Sequence, residues 1–239
     1  MKPAMQQGTV DLYTNAMVRE VTTNKEGLAT GVSYVSKEDM KEYKIKAKVV
    51  VLGASACETA RIMLNSKSTA HPDGLGNGSG IIGRYLHDST GASRGAIMPD
   101  LIDRDRYNED GVGGAHIYSP WWLDGEKLDF TRGYHLEFWG GMSMPSYGFG
   151  FGMDNMRQYI KDEMGNPSPN GGYGKGLKND IRKIYGSTVG IAGRGESIPQ
   201  YDNYCEIDPN TVDQFGIPVL RFNYNWTEHE INQAKHMQE

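Results

Sequence analysis

The chain has 239 residues, 38% of them hydrophobic, and a net charge of −5; with a mean hydropathy of −0.59 this is the profile of a loop-rich globular protein with room for one large or two modest domains. No apolar run approaches the roughly 18–20 residues that span a bilayer, "MKPAMQQGTV" lacks the apolar core of a secretory signal, and the acidic balance argues against a nucleic-acid partner, which requires clustered cations. Two cysteines, Cys57 and Cys205, allow at most one bridge, so no disulfide framework holds the fold.

Residues 9–52 read as three strands: "TVDLYTNAMVREV", then "LATGVSYVS" after the turn "TNKEG", then "YKIKAKVVVL" after the charged turn "KEDMKE". In the third, Tyr43, Ile45, Ala47, Val49 and Val51 alternate with polar residues, which predicts one face on a core. The continuous "VVVL" at its end predicts burial on both faces, as inside an α/β sheet. A small-residue turn, Gly53-Ala54-Ser55, follows directly. Ser55 and Glu58 have the spacing of a capping box, and Ala56, Ala60, Met63 and Leu64 fall on one helical stripe.

Residues 67–90, "KSTAHPDGLGNGSGIIGRYLHDST", are turn chemistry throughout. From 91 to 225 short aromatic-rich runs ("AHIYSPWW", "YHLEFWGGMSM", "STVGIAG", "IPVLRFNY") alternate with polar or glycine-rich loops, the texture of a mostly antiparallel sheet. Residues 177–185 read as a helix and 153–164 as a further candidate. Thr227 and Glu230 form a second capping box, opening a helix in which the chain stops. A strand-like run also begins within ten residues of Met1, so both ends look cut.

Several stretches invite chemistry. The carboxyl end of a buried strand followed by a helix start is where α/β sheets bind ligands, because small residues admit close approach and free amides face outward. Gly53, Ala54 and Ser55 fit, although many such turns bind nothing. A hydrolase elbow at the same place requires G-x-S-x-G, and Cys57 stands where the second glycine belongs. Cys57 itself reads as a small buried residue. "GLGNGSG" imitates a dinucleotide fingerprint but lacks a preceding strand and a following helix. The six histidines show no metal-ligand spacing, so no metal site is expected. In "YHLEFWGG", His135, Glu137 and Trp139 share one strand face if extended. An aromatic beside acceptors suits a sugar, and a plain aromatic core strand suits the pattern equally; "PWW" at 120–122 carries the same two readings.

"KVVVLGASACETARIMLNSKS", "HPDGLGNGSGIIGRYLHD" and "GESIPQYDNYCEIDPNTVDQFGIPVLRFNY" together resemble, in order, segments of the glucose–methanol–choline (GMC) family of FAD-dependent oxidoreductases, in the branch acting on sugars, sugar acids and polyols. Ala60 departs from the family's usual Pro, and Lys67 stands where many members have Gly. The resemblance implies an α+β chain: residues 1–90 as part of an FAD-binding α/β domain, 91–225 as a substrate domain with a large mostly antiparallel sheet, and 226–239 as a helix leading to a C-terminal segment. It implies FAD against Gly53, Ala54 and Ser55, with the adenine at Val18 of "NAMV". Glu137 and Trp139 are the expected lining of the substrate face. The family's GxGxxG unit and its catalytic histidine segment have no counterpart here; His229 and His236 do not match that segment. The expectation is therefore a portion of a larger enzyme, with no catalytic residue of its own. Its partners would be a sugar or polyol, the remainder of the FAD domain and an electron-acceptor protein. A non-catalytic carbohydrate-binding protein is the alternative.

Overall fold

The structure, a computed structural model, describes residues 2–102, 117–119, 127–140, 174–175, 178–179, 182 and 185–239. They form two compact units: Met1–His87 with Pro199–Asn225, and Asp88–Ile198 with Trp226–Glu239. The architecture is mixed α and β with several antiparallel sheets, as expected. The candidate helix 153–164 and the aromatic pair at 121–122 lie outside the described residues.

The first unit opens with a short helix, α1 (Lys2–Gln6), followed by three antiparallel strands, β1 (Ala16–Thr23), β2 (Ala29–Ser36) and β3 (Glu42–Lys46), in that spatial order. Alternation along β2 buries Gly31, Ser33 and Val35, the pattern of a strand with one face on a core. Helix α2 (Ala56–Asn65) packs against β1 and against the hairpin of β8 (Tyr204–Val212) and β9 (Pro218–Asn223). Val21, Val35, Ile62, Leu64, Cys205 and Ile217 form the core.

Polar bonds fix α2 at both ends of its buried face. Ser66, just past the helix, donates to the Ile62 carbonyl (2.6 Å) and accepts the Val21 amide of β1 (2.8 Å). Arg61, buried on the same helix, donates through Nη2 to Asp213 Oδ2 (2.7 Å) and to the Ile217 carbonyl (3.0 Å), and through Nε to the Pro218 carbonyl (2.8 Å). Asp213 Oδ1 in turn accepts the Phe215 and Ile217 amides that shape the hairpin turn. Burial pushes the Asp213 carboxyl up, but the guanidinium and the two amides outweigh it, and the group lies below its ordinary range.

Three expectations are corrected here. The third strand stops at Lys46, and Val49 and Val51, expected to be buried, are 75% and 86% exposed. The Ala47 amide still reaches the Thr30 carbonyl of β2 (2.9 Å), but among the described residues no strand pairs with 48–52, and Val49 and Val51 stay open. Residues 9–15 are likewise outside any strand. The third correction is at Ser55: it makes no side-chain cap, and its backbone sits at φ +69°, ψ 171°, a region populated almost solely by glycine. Glu58, freed from capping, reaches Arg61 Nη1 at 3.4 Å.

In the second unit β4 (Thr90–Ile97), β5 (Ile117–Ser119), β6 (Tyr134–Gly140) and β7 (Thr188–Gly195) form an antiparallel sheet in the order β4-β7-β6-β5. The sequence signal for β4 is weak, because "TGASRGAI" is mostly small residues of low strand preference. Helix α3 (Glu228–His236) lies against the sheet. It can approach because Gly193 and Gly195 carry no β-carbon: one placed there would collide with Met237 and Gln233 respectively. The Thr227–Glu230 box is present. The Glu230 carboxylate accepts the Thr227 amide (2.8 Å) and also the Ile198 amide (2.9 Å), and so ties the helix start to the segment that follows β7.

Replacing Asp213 by Ala leaves a buried guanidinium short of its counter-charge, and a stability loss of about 3 kcal/mol in urea unfolding is expected. Because the Asp213 pKa is lowered on folding, its contribution is complete above the ordinary value of 3.8 and fades as pH falls through the lower folded value. Asp213→Asn is expected to flatten that acid limb; an unchanged limb would contradict the assignment. At the turn, Ser55→Gly removes the strain and is expected to stabilise by about 1 kcal/mol. A loss of stability would instead mean that the hydroxyl caps the helix.

Candidate functional site

The turn between β3 and α2 is built from backbone. Gly53 and Ser55 are exposed, and a β-carbon on Gly53 would meet nothing within 4 Å. The first helical bond runs from the Thr59 amide to the Ser55 carbonyl (3.0 Å). The amides of Ala56, Cys57 and Glu58 find no acceptor among the described residues, and with no side-chain cap from Ser55 they leave the positive end of the helix open. Small side chains, an open backbone and three unengaged donors leave room for a hydrogen-bond-accepting group such as a nucleotide. Strain stored at Ser55 is of the kind that accompanies ligand-contacting turns.

Val18 lies in β1, an edge strand of the three-stranded sheet, opposite Tyr34. The register shifts between Val18 and Glu20, so Arg19 sits in a bulge and its side chain reaches Glu42 (3.4 Å). On the outer edge of β1 no strand pairs among the described residues. A backbone edge of this kind can hydrogen-bond a planar base without any particular side chain. Ser55 Oγ has no hydrogen bond and no histidine beside it among the described residues, so nothing there activates it as a nucleophile.

In the second unit, His135 and Glu137 share a face of β6, as expected. His135 Nε2 lies 3.2 Å from Glu137 Oε1, and Arg194 Nε of β7 lies 3.4 Å from Glu137 Oε2. His135 is directly opposite Arg194 in the ladder, and Gly91 of β4 is opposite Arg194 on its other side. Trp139 occupies the same strand, with its backbone opposite Gly190. Arg194 was not singled out from sequence: "STVGIAG" drew attention as an apolar run that ends just before it. Arg61 was missed for the opposite reason, being a cation on an otherwise apolar stripe, where its spacing from Cys57 and Leu64 was the available signal. Among the described residues no group of three or more His, Cys, Asp or Glu could hold a metal ion, and no helix is long and apolar enough to cross a membrane.

Residues 1–90 match the family of GMC oxidoreductases. The chain is 30% identical over 221 residues to the 2-methyl-1,2-propanediol dehydrogenase of Mycolicibacterium austroafricanum, covering 92% of this chain. It is 26% identical over 246 residues to the gluconate 2-dehydrogenase flavoprotein of Pantoea cypripedii, covering 98% of this chain. With the fructose dehydrogenase large subunit of Gluconobacter japonicus it shares 23% identity over 218 residues, 91% of this chain. In each case the match spans 36% of the relative's length. The resembling segments at 48–68, 71–88 and 195–224, in that order, the exposed strand-to-helix turn and these matches agree, and the chain belongs to the GMC oxidoreductase family.

Proposed function

We propose that the chain is a portion of an FAD-dependent dehydrogenase that oxidises a hydroxyl of a sugar, sugar acid or polyol. Support comes from the family match together with three relatives named for a diol, gluconate and fructose. The single observation that carries the cofactor reading is the uncapped start of α2 behind the open Gly53-Ala54-Ser55 turn. In this reading the flavin accepts the hydride removed from the substrate carbon.

The chain's own residues act by binding and orientation. The backbone at 53–55 lies along the nucleotide, its free amides directed at acceptor atoms, and the edge of β1 at Val18 meets the adenine. Glu137, held between His135 and Arg194, is the acceptor for substrate hydroxyls on the sheet of the second unit, with Trp139 as its aromatic neighbour in sequence. No residue of this chain is assigned as the base. The Val49–Leu52 run pairs with a strand of the remainder of the FAD domain, which would bury the Val49 and Val51 side chains that stand open here. Electrons leave to a protein carrier.

The test uses the polypeptide that contains this chain together with the sequence flanking it in its gene. Flavin absorbance is expected to survive gel filtration, to bleach anaerobically with a diol or aldonate, and to be lost or loosened in Gly53→Trp, which fills the turn. Sugar binding by calorimetry with no flavin retained would favour the carbohydrate-binding alternative and contradict the proposal. Stoichiometric flavin binding by the 239-residue chain alone would overturn its reading as a portion.

A further inference from the structure

A second polar cleft lies in the first unit, away from the 53–55 turn. It measures ≈550 Å³ and is walled by the loop after α2 (Lys67, Asp73, Asn77–Gly80), by Ile82 and Arg84, and by the start of β8. Its basic groups are held in place by the backbone around them. The Cys205 amide donates to the Gly83 carbonyl (2.9 Å), the Leu86 amide to the Asn203 carbonyl (2.9 Å), and Arg84 bridges to Tyr204. Gly83 stands at φ +87°, and a β-carbon there would collide with the Cys205 carbonyl, so only glycine lets this segment lie so close to β8.

Arg84 is half-buried and lies over two rings: its guanidinium carbon is 4.1 Å from the Tyr204 centroid and 4.8 Å from that of Tyr201. Stacking of this kind satisfies the faces of the planar cation and leaves its edge donors unused. No acceptor bonds those donors among the described residues, and none bonds the Lys67 ammonium. Glu206 in the same cleft is already neutralised by Arg221 (Nε to Oε1, 2.7 Å). Among the described residues, two unpaired cations therefore share the cleft with one unpaired carboxylate, Asp73. Gly78 and Ser79 line the same cleft, and their amides, which bond no backbone acceptor among the described residues, and the Ser79 hydroxyl add donors.

We propose that this cleft is a recognition site for the oxyanion of a small molecule, a phosphate monoester or a carboxylate, gripped by the edge of Arg84 and by Lys67. A planar cation fixed against aromatic rings presents a paired-donor edge that matches two oxygens of either group. The loop amides complete the shell as backbone nests do for anions. The hydroxyls of the ligand would donate to Asp73. The site is independent of the flavin reading, because none of its residues belongs to the 53–55 turn or to β1.

The test is titration of the polypeptide that contains this chain together with the sequence flanking it in its gene, first with inorganic phosphate and, separately, with gluconate, followed by amide NMR shifts at residues 78–84. A saturable shift with at least one probe is expected. Phosphate alone would assign a phosphoryl ligand, gluconate alone a carboxylate, and both the shared oxyanion. Lys67→Ala, which removes an exposed side chain with no partner to lose, is expected to weaken binding about tenfold. Arg84→Lys, which keeps the charge and loses the planar edge, is expected to weaken it further, and Arg94→Gln in the other unit to leave it unchanged. Absence of saturable shifts with both probes, or shifts indifferent to Lys67→Ala and Arg84→Lys, would overturn the proposal.

Discussion

One guanidinium organises the first unit. Arg61 projects from α2 into a turn about 150 residues later in the chain and there holds Asp213, Ile217 and Pro218 at once. A buried ion pair adds little net stability over an apolar pair of the same shape, but it is intolerant of half-removal, and so it fixes register. Register is what α2 requires, because its apolar face alone would permit sliding along the hairpin. Ser66, just past the C-terminal end of the helix, takes the Val21 amide of an edge strand, and between these two fastenings the helix has one position. The open turn at 53–55 is the N-terminal end of that fixed rod, so the direction of its free amides follows from contacts made elsewhere.

The second unit reaches its packing through absence of side chains. Gly193 and Gly195 on β7 leave a groove into which Met237 and Gln233 close, while Glu230 is bonded both to its own helix start and to Ile198. Burial pushes the Glu230 carboxyl up, but the Thr227 hydroxyl and the Ile198 and Thr227 amides outweigh it and keep the group ionised below its ordinary range. Glu137, His135 and Arg194 form a polar row across β6 and β7, the kind of surface on which a polyhydroxylated molecule finds both donors and acceptors.

Much of this was legible in the sequence where a local rule is strong. The period of "ATGVSYVS", the aromatic run at 134–140 and the Thr227–Glu230 box each specify their element through nearest neighbours, and each formed as read; α2 formed too, but its buried face is Arg61, Ile62 and Leu64, while Ala56 of the expected stripe is exposed. Sequence reading failed where the deciding partner is remote or missing. "VVVL" carries the composition of a doubly covered strand, yet burial needs neighbours on both sides, and among the described residues there are none. Ser55 has the right spacing for a cap, but the sharp reversal after Gly53 puts its backbone at φ +69° and swings the hydroxyl away from the amides. The Arg61–Asp213 pair was invisible because no local pattern links positions that far apart. Of the candidate site, Gly53, Ala54 and Ser55 were proposed from the strand–turn–helix pattern and Val18 from the resemblance; Arg194 emerged only when the strands were laid side by side.

The central proposal is that the backbone at 53–55 and the edge of β1 at Val18 form the face on which an adenine nucleotide rests. Hydrogen–deuterium exchange of the flavoprotein containing this chain, with its flavin and after the flavin is stripped, tests that most directly. The account requires slower exchange with flavin at the amides of 17–19 and 54–58, and no comparable change along β8. Equal exchange at both segments in the two forms would contradict it.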